Sequence, residues 1–285
     1  MKIWILLMAV LFSMRGLQAQ NFHLLSRYEN LNKYSVIDSA YLKCAYKLTY
    51  LKDSLKPEEK STDVQLLLIG KTISKYYSQY ALAYNLYVVE YLKKHDTYPH
   101  IKEKGSWTYE LFKHYPQGKE TVTDIASMLH GNFVYEEEMP VFDWKITNET
   151  QEILSYNCQK ATCSFRGRMY TAWFTMDIPV DNGPWKFGGL PGLILKISDS
   201  KNHFNYECEG LEQLKTKEPV KWYKVDYTKV RREELDKLYR RFHDDLAAYM
   251  SLKGRKVREM DQETKTSKTV DHSSKKIPYN PIELD

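Results

Sequence analysis

Residues 193–209 read LILKISDSKNHFNYECE, and they set the pattern for most of the chain. The first part, 193–199, is rich in aliphatic residues, and in the last part Phe204, Tyr206 and Cys208 recur at every second position. The polar residues 199–202 between them are typical of a turn. Alternation broken by a short polar turn is typical of two antiparallel strands. The stretch therefore predicts a β-hairpin.

The same pattern continues on both sides of this hairpin. Between residues 120 and 227 the strand candidates are short and closely spaced, and they leave almost no room for helices. A parallel crossover needs about a dozen residues or more, so this spacing favours antiparallel meanders. The strand candidates are 40–52, 63–69, 120–126, 132–137, 142–147, 151–157, 160–165, 168–175, 193–199, 203–209 and 221–227.

Two segments have helical periodicity instead. Residues 73–95 place tyrosines at three- and four-residue spacing, and residues 229–252 place Leu, Tyr and Phe in the same way. We therefore predict a mainly β (α+β) protein, built as a curved antiparallel sheet or half-open β-barrel. One C-terminal helix packs on the sheet, and one Tyr-rich helical insertion interrupts it. We expect a single domain over 20–254 and a polar, flexible tail over 255–285.

The N-terminus has the features of a secretory signal peptide. Lys2 precedes a ten-residue apolar run over 3–12, and Ala19 offers a small residue for cleavage. The run is too short for a bilayer span of about 20 residues, and no later segment is apolar enough for one. We expect residues 1–19 to be removed and the mature chain to be exported, either periplasmic or secreted.

The composition excludes some classes of protein and indicates none directly. The chain has 285 residues, 42% hydrophobic and 28% charged, with a formal net charge of +5. These values are ordinary for a globular protein and too balanced to indicate a nucleic-acid partner. The unusual feature is the 23 tyrosines, which with Trp and Phe bring the aromatic share to 14%.

The chain has four cysteines, Cys44, Cys158, Cys163 and Cys208, and an even number in an exported chain permits two disulfides. Strand parity places Cys44 and Cys208 on apolar faces, and it favours the pairs Cys163–Cys208 and Cys44–Cys158. Buried thiols are the alternative. A zinc site would need tighter clusters of Cys and His, and a catalytic thiol would need an activating partner.

Glycine and proline are concentrated between the strand candidates 168–175 and 193–199. Gly183, Gly188, Gly189 and Gly192 alternate with prolines, and this predicts a rigid loop. The loop either presents its aromatic residues to a ligand or folds over the sheet as a plug. The candidate binding residues are Trp173, Asp177, Pro184, Trp185, Phe187, Leu190 and Pro191.

The hexapeptide at 189–194, Gly-Leu-Pro-Gly-Leu-Ile, resembles the motif that names the GLPGLI family of exported bacterial proteins. Residues 63–71, 158–179 and 183–187 are also similar to blocks of that family, and 278–284 resembles a frequent C-terminus. The resemblance implies an exported, β-rich protein. It implies no activity and no catalytic residues, because the family has none established.

A further pair of side chains has the chemistry to hold an anion. Arg166 and Arg168 flank a turn glycine and share strand parity, so together they could grip a carboxylate or phosphate. A salt bridge at the strand end is the structural alternative. We identify no metal site, cofactor motif or nucleophile motif in the sequence.

Two functions follow as hypotheses. The first is a non-enzymatic binding or assembly module of the cell envelope, which takes an apolar or aromatic ligand, a peptide or an envelope protein. The alternative is a carboxylate-dependent hydrolase or peptide-processing enzyme, with Asp177 near Arg166 or Arg168 as its candidate centre. The sequence leaves the oligomeric state and the identity of any partner open.

Overall fold

Long antiparallel strands make up most of the chain. The computed structural model describes residues 30–95, 107–126, 129, 131–252, 254, 257–260, 267–270 and 276–284, so the predicted signal peptide lies outside the described residues. The strands are β1 Tyr34–Leu51, β2 Lys60–Ile69, β3 Ser74–Ser78, β4 Tyr109–Lys113, β5 Lys119–Ala126, β6 Gly131–Glu138, β7 Lys145–Ile153, β8 Tyr156–Phe165, β9 Arg168–Thr175, β10 Leu193–Asp199, β11 Phe204–Tyr223, β12 Thr228–Lys229, β13 Val257–Met260 and β14 Ser267–Val270. The helices are α1 Gln79–Leu92, α2 Arg232–Asp244 and α3 Leu246–Leu252.

The first twelve strands form one sheet in the order β12-β6-β5-β4-β3-β2-β1-β11-β10-β9-β8-β7. Its pairs are antiparallel except for the short parallel pair of β12 with β6. Because β12 and β7 stand at opposite ends of this order, the sheet is open. The predicted mainly β class is confirmed. Strands β9 and β10 have the bounds that the sequence predicts, and β13 pairs with β14 in a separate two-stranded sheet.

Strand β11 is much longer than expected. It joins the predicted strands 203–209 and 221–227 into one strand of 20 residues, which pairs with β1 along its length through three register shifts. The middle of β11 is polar and mostly exposed, so it lacks the apolar alternation of a strand. Backbone pairing with β1, which has 18 residues, keeps the exposed middle of β11 in the strand conformation.

The predicted helix 73–95 is wrong in its first part, which is strand β3. Residues 74–78 are buried and pair with β2 and β4. The helix α1 then begins at Ser78, whose hydroxyl accepts a hydrogen bond from the amide of Ala81 at 3.0 Å. Its buried face carries small and aliphatic residues such as Val88, whereas Tyr80 and Tyr87 are about half exposed.

The predicted C-terminal helix is divided in two. Asp245 has extended backbone angles and ends α2, and its carboxylate accepts a hydrogen bond from the amide of Ala248 at the start of α3. An aspartate that caps the backbone in this way favours a helix start over a helix interior. The apolar face of α2, with Leu235, Tyr239 and Phe242, packs into the main core.

Candidate functional site

The loop between β9 and β10, residues 176–192, is fixed by close contacts of its own backbone. A Cβ atom at Gly192 would lie 2.0 Å from the carbonyl oxygen of Thr175, so only glycine fits there. Farther along, Trp185 has a positive φ of 49°, which few non-glycine residues adopt. The loop is therefore held in one conformation, as its glycine and proline content predicts.

The apolar side chains of the loop are in the core. Trp185, Phe187 and Leu190 are each 2% exposed or less, and the ring of Phe187 lies 4.6 Å from that of Tyr170. Pro184 is buried as well, whereas Pro191 is exposed. The structure thus has the loop packed as a plug.

A lysine on β4, a strand that lies far from β9 and β10 in the sheet order, binds the loop. The buried ammonium of Lys113, on β4, donates hydrogen bonds to Asn182 Oδ1 at 3.0 Å, to the carbonyl of Gly183 at 3.0 Å and to that of Phe187 at 2.6 Å. Burial lowers the pKa of Lys113 to about 7, against the attraction of Glu120. Sequence reasoning did not identify this lysine, because it stands in a short strand far from the loop.

Beside Trp185 the loop carries a completely buried cation, Lys186. Its Nζ lies 3.4 Å from Glu120 Oε1 and 2.9 Å from Glu283 Oε1, and it also donates to Glu137 Oε1. We name these four residues the charge cluster. The phenol of Tyr135 lies beside it, 3.4 Å from the same Nζ. Three carboxyl groups thus converge on one ammonium. A buried cation needs such partners, because an unpaired charge is costly in the low dielectric of the interior.

The pKa values of Glu120 and Glu137 are shifted in opposite directions. Burial raises the pKa of Glu120 to about 8, and Lys186 only partly offsets this. Burial also raises the pKa of Glu137, but the closer contact with Lys186 outweighs it and leaves this pKa below its usual value. For Lys186, burial alone would lower the pKa, whereas the surrounding phenol and carboxylates raise it well above normal. Burial thus favours the protonated form of Glu120, whereas Lys186 favours the ionised form of Glu137.

The fourth member, Glu283, belongs to residues 277–284, which we name the C-terminal segment. Arg168 binds this segment through its whole guanidinium, which donates to Asn280 Oδ1 at 2.8 Å and to the carbonyls of Pro281 at 2.6 Å and Ile282 at 3.0 Å. The same guanidinium pairs with the buried Asp199 at 3.2 Å. In the structure Arg168 forms a salt bridge within the chain, as the structural alternative predicts, and it also binds the peptide backbone of the C-terminal segment.

The two-residue turn between β8 and β9 forms one wall of the groove around this segment. Arg166 and Gly167 have φ values of 45° and 74°, as in a type I′ turn. The carbonyl of Arg166 accepts a hydrogen bond from the amide of Leu284 at 3.0 Å, and a Cβ at Gly167 would lie 2.9 Å from Leu284 Cβ. The turn glycine thus also makes room for the segment.

Other contacts fix both ends of the C-terminal segment. At its start, the ring of Tyr279 stacks on His243 with centroids 4.6 Å apart, and the amide of Ile277 donates to the carbonyl of His243. Near its end, Ile282 is 8% exposed and joins the main core. The sequence predicts a flexible tail over 255–285, but within it residues 277–284 lie in a groove.

The remaining predicted residues lie apart from this groove or at its edge. Asp177 is exposed at the start of the loop, where its amide donates to the hydroxyl of Thr175. Trp173 is half-buried on β9, with the ammonium of Lys160 6.0 Å from its ring. Arg166 pairs with Glu137 at 2.9 Å and lies 3.7 Å from Glu283.

All four cysteines are buried as free thiols, so the favoured pairs Cys163–Cys208 and Cys44–Cys158 are not formed in the structure. The buried-thiol alternative describes them instead. Burial raises the pKa of Cys158 to about 11 and those of Cys163 and Cys208 to about 12. Thiols with such values are poor nucleophiles at neutral pH.

Two cavities among the described residues differ in size and openness. A cavity beside α1 measures about 10 Å³, too small for more than a single water. A broader depression of about 630 Å³, lined by residues that include Gln151, Lys196 and Glu207, is open to solvent. In the part of the chain that the structure describes, no three His, Cys, Asp or Glu side chains are arranged to hold a metal ion. No helix among the described residues is long and apolar enough to cross a membrane.

Comparison with known proteins gives a short family match and a distant likeness of fold. Residues 166–196 match the model of a family described as a protein of unknown function (Porph_ging). This stretch contains the hexapeptide at 189–194, together with Arg166, Arg168 and Lys186. No curated protein matches the chain.

Among solved structures, the chain is similar to PNGF-II in its P21 and C2 crystal forms. Both have a TM-score of 0.49 and 13% sequence identity. The likeness covers 79% of this chain and 36% of PNGF-II in the first form, and 78% and 35% in the second. The chain thus spans about a third of the length of these structures.

Proposed function

We propose that the protein is an exported, non-enzymatic binding module, and that its ligand is an extended protein segment held in the groove that the C-terminal segment occupies. The observation that carries this proposal is the guanidinium of Arg168. It bonds two successive main-chain carbonyls and an amide side chain of the segment, at 2.6 to 3.0 Å. Recognition through the main chain suits a peptide of extended conformation.

The groove is assembled from parts that are distant in sequence. The turn between β8 and β9 contributes one wall, the loop contributes Trp185 and Lys186, and α2 contributes Arg232 and a stacking surface. These directed contacts to main-chain and side-chain groups support a peptide-binding groove that the C-terminal segment occupies.

The packed interior favours a peptide over a small apolar ligand. The aromatic side chains of the loop are buried, and the cavity beside α1 is too small for a ligand. A small-molecule site would need a concave, mostly apolar pocket of several hundred Å³. The groove is lined instead by hydrogen-bond donors that already bind peptide groups.

The test uses the full-length Ile282→Asp variant, because a charge at this buried position expels the chain's own segment. A synthetic peptide with the sequence of residues 276–285 is then added in trans. We expect saturable binding by fluorescence anisotropy and a rise in melting temperature of the variant. The control peptide has the same residues in scrambled order. A folded variant that binds neither peptide would contradict the proposal.

A second candidate function is carboxylate-dependent catalysis, and the charge cluster is the observation that favours it. A protonated Glu120 beside an ionised Glu137 is the pairing that general acid–base chemistry uses. The side chain of Glu120 is fully buried, and Glu283 of the C-terminal segment shares Lys186 with this pair, so we expect substrate to reach it only after the segment leaves. Turnover of a fluorogenic peptide panel by the Ile282→Asp variant, abolished by Glu137→Gln, would support this candidate over the first.

Export accompanies the binding proposal, since residues 1–19 have the composition of a signal peptide. N-terminal sequencing of the protein from the periplasmic fraction or the medium should begin near Gln20. A protein that retains residues 1–19 in the cell interior would contradict export and leave the binding test unaffected.

A further inference from the structure

The carboxylate of Glu283 occupies a subsite that is more elaborate than the rest of the groove. One oxygen, Oε1, accepts from Trp185 Nε1 at 3.1 Å and from Lys186 Nζ at 2.9 Å. The other, Oε2, lies 3.7 Å from both Arg166 Nε and Arg232 Nη1. Four cationic or neutral N–H donors from three separate elements therefore surround one side chain.

We infer that this subsite selects the ligand: the groove takes extended peptides in which a glutamate follows an aliphatic residue, and the glutamate carboxylate determines the specificity. This inference rests on the proposed function. It names the class of peptide, which the main-chain contacts of Arg168 leave undefined.

Charge complementarity is the first argument. Lys186, Arg166 and Arg232 bring three cations to the subsite, while Glu137 supplies a carboxylate that pairs with all three. Arg232 also pairs with Glu233 and Asp236, so the charge of Glu283 acts mainly on Lys186 at 2.9 Å and on Arg166 at 3.7 Å. An apolar side chain at this position would leave the buried Nε1 of Trp185 without its acceptor, and a glutamine would keep that acceptor but lose the negative charge that Lys186 binds.

The depth of the subsite is the second argument. Glu283 is 6% exposed, and its carboxylate reaches donors that are themselves buried. An aspartate is shorter by one carbon–carbon bond, about 1.5 Å. The contact of 2.9 Å with Lys186 would then lengthen beyond hydrogen-bond distance. The subsite therefore fits glutamate by length as well as by charge.

The neighbouring positions define the rest of the preferred peptide. Ile282 lies in the main core, and the side chain of Asn280 both accepts from Arg168 and donates to the carbonyl of Leu51 at 2.8 Å. A lysine or aspartate in place of the isoleucine would bury a charge. The ligand class is thus an acidic peptide with the pattern Asn-x-aliphatic-Glu, in which position x contributes only its main-chain carbonyl.

The test compares three fluorescein-labelled, amidated peptides on the full-length Ile282→Asp variant. They have the sequence of residues 276–285 with Glu, Gln or Asp at the position of Glu283. We expect the Glu peptide to bind at least tenfold more tightly than either of the others, because each loses charge-assisted hydrogen bonds. A second receptor, full-length Glu283→Arg, expels the segment by charge repulsion and repeats the comparison if the first variant is poorly folded.

A variant of the receptor tests whether Arg232 contributes to the preference for the Glu peptide. Adding Arg232→Gln to the receptor should reduce the ratio between Glu and Gln peptides, whereas Lys237→Gln, an exposed position on the same helix, should leave it unchanged. Equal binding of all three peptides would overturn the inference and leave the proposed function standing. Failure of every peptide to bind a folded receptor would overturn both.

Discussion

Replacing Arg168 with methionine removes the guanidinium that joins the C-terminal segment to the sheet, and we expect it to destabilise the protein by about 4 kcal/mol. Methionine keeps an unbranched apolar stem over the ring of Phe204, which the guanidinium carbon approaches at 4.9 Å. The change therefore isolates the polar contacts of the side chain from its packing.

The magnitude follows from what the guanidinium binds. Asp199, its buried ion-pair partner at 3.2 Å, would keep a charge with one hydrogen bond fewer, and breaking a buried pair in this way costs about 3–5 kcal/mol. The lost hydrogen bonds to Asn280, Pro281 and Ile282 act in the same direction. They are not additive with the first effect, because the segment can leave and take its acceptors into water.

Urea denaturation measures the free energy of unfolding that Arg168→Met loses. A loss of about 4 kcal/mol corresponds to a fall in melting temperature of about 10 °C for a domain of this size. Hydrogen exchange at the amide of Leu284, which is bonded to the carbonyl of Arg166, reports release of the segment separately. The double variant Arg168→Met/Asp199→Asn should recover part of the loss, because it removes the unpaired charge.

Lys160→Met is the matched control. It removes a cation from a surface ion pair with Glu149 on the neighbouring strand, where about 1 kcal/mol or less is expected. The reasoning would be refuted if Arg168→Met lost no more stability than Lys160→Met and the amide of Leu284 stayed protected.

Three further changes test other parts of the structure. Gly192→Ala should lower the melting temperature by several degrees, because its Cβ would lie 2.0 Å from the carbonyl of Thr175; an unchanged melting curve would contradict the close approach. The raised pKa of Glu120 stabilises the parent protein fully at low pH, and this stabilisation is lost as pH rises through 8. Glutamine does not titrate, so the Glu120→Gln variant should become progressively more stable than the parent between about pH 4.5 and 8. Urea denaturation at pH 5 and 8.5 measures this, and parallel curves would argue against a protonated Glu120. Trp185→Phe should release the C-terminal segment more often without unfolding the core, seen as faster exchange at Leu284; unaltered exchange would mean that the indole N–H bond to Glu283 adds nothing.

Local sequence signals predicted the parts of the fold that depend on neighbours along the chain. The bounds of β9 and β10 follow from alternation and flanking turns, and the rigidity of the loop follows from its glycines and prolines. The strand β3 was not predicted, because its buried residues run into the helical spacing of α1 and only pairing with β2 and β4 distinguishes the two.

For the candidate site, the sequence indicated the right region but only part of the chemistry. Arg166 and Arg168 stood out by flanking a turn glycine, and both line the groove. Lys186 was visible only as a charge among apolar residues of the loop, and Glu137 was part of an acidic run that resembles a solvated edge. Burial makes Lys186 and Glu137 an ion pair inside the protein, and a run of charged residues in the sequence does not show which of them are buried.

The sequence by itself thus determined the β-rich class, the hairpins and the rigid loop, because alternation and turn chemistry act over a few residues. Only the tertiary structure decided what the loop and the arginines bind. Arg168 meets the carbonyl of Ile282 across 114 residues of chain, and Lys186 meets carboxylates from two strands and the C-terminal segment. Such contacts depend on the curvature of the sheet and on which distant segments of the chain pack together. A local sequence pattern does not specify either.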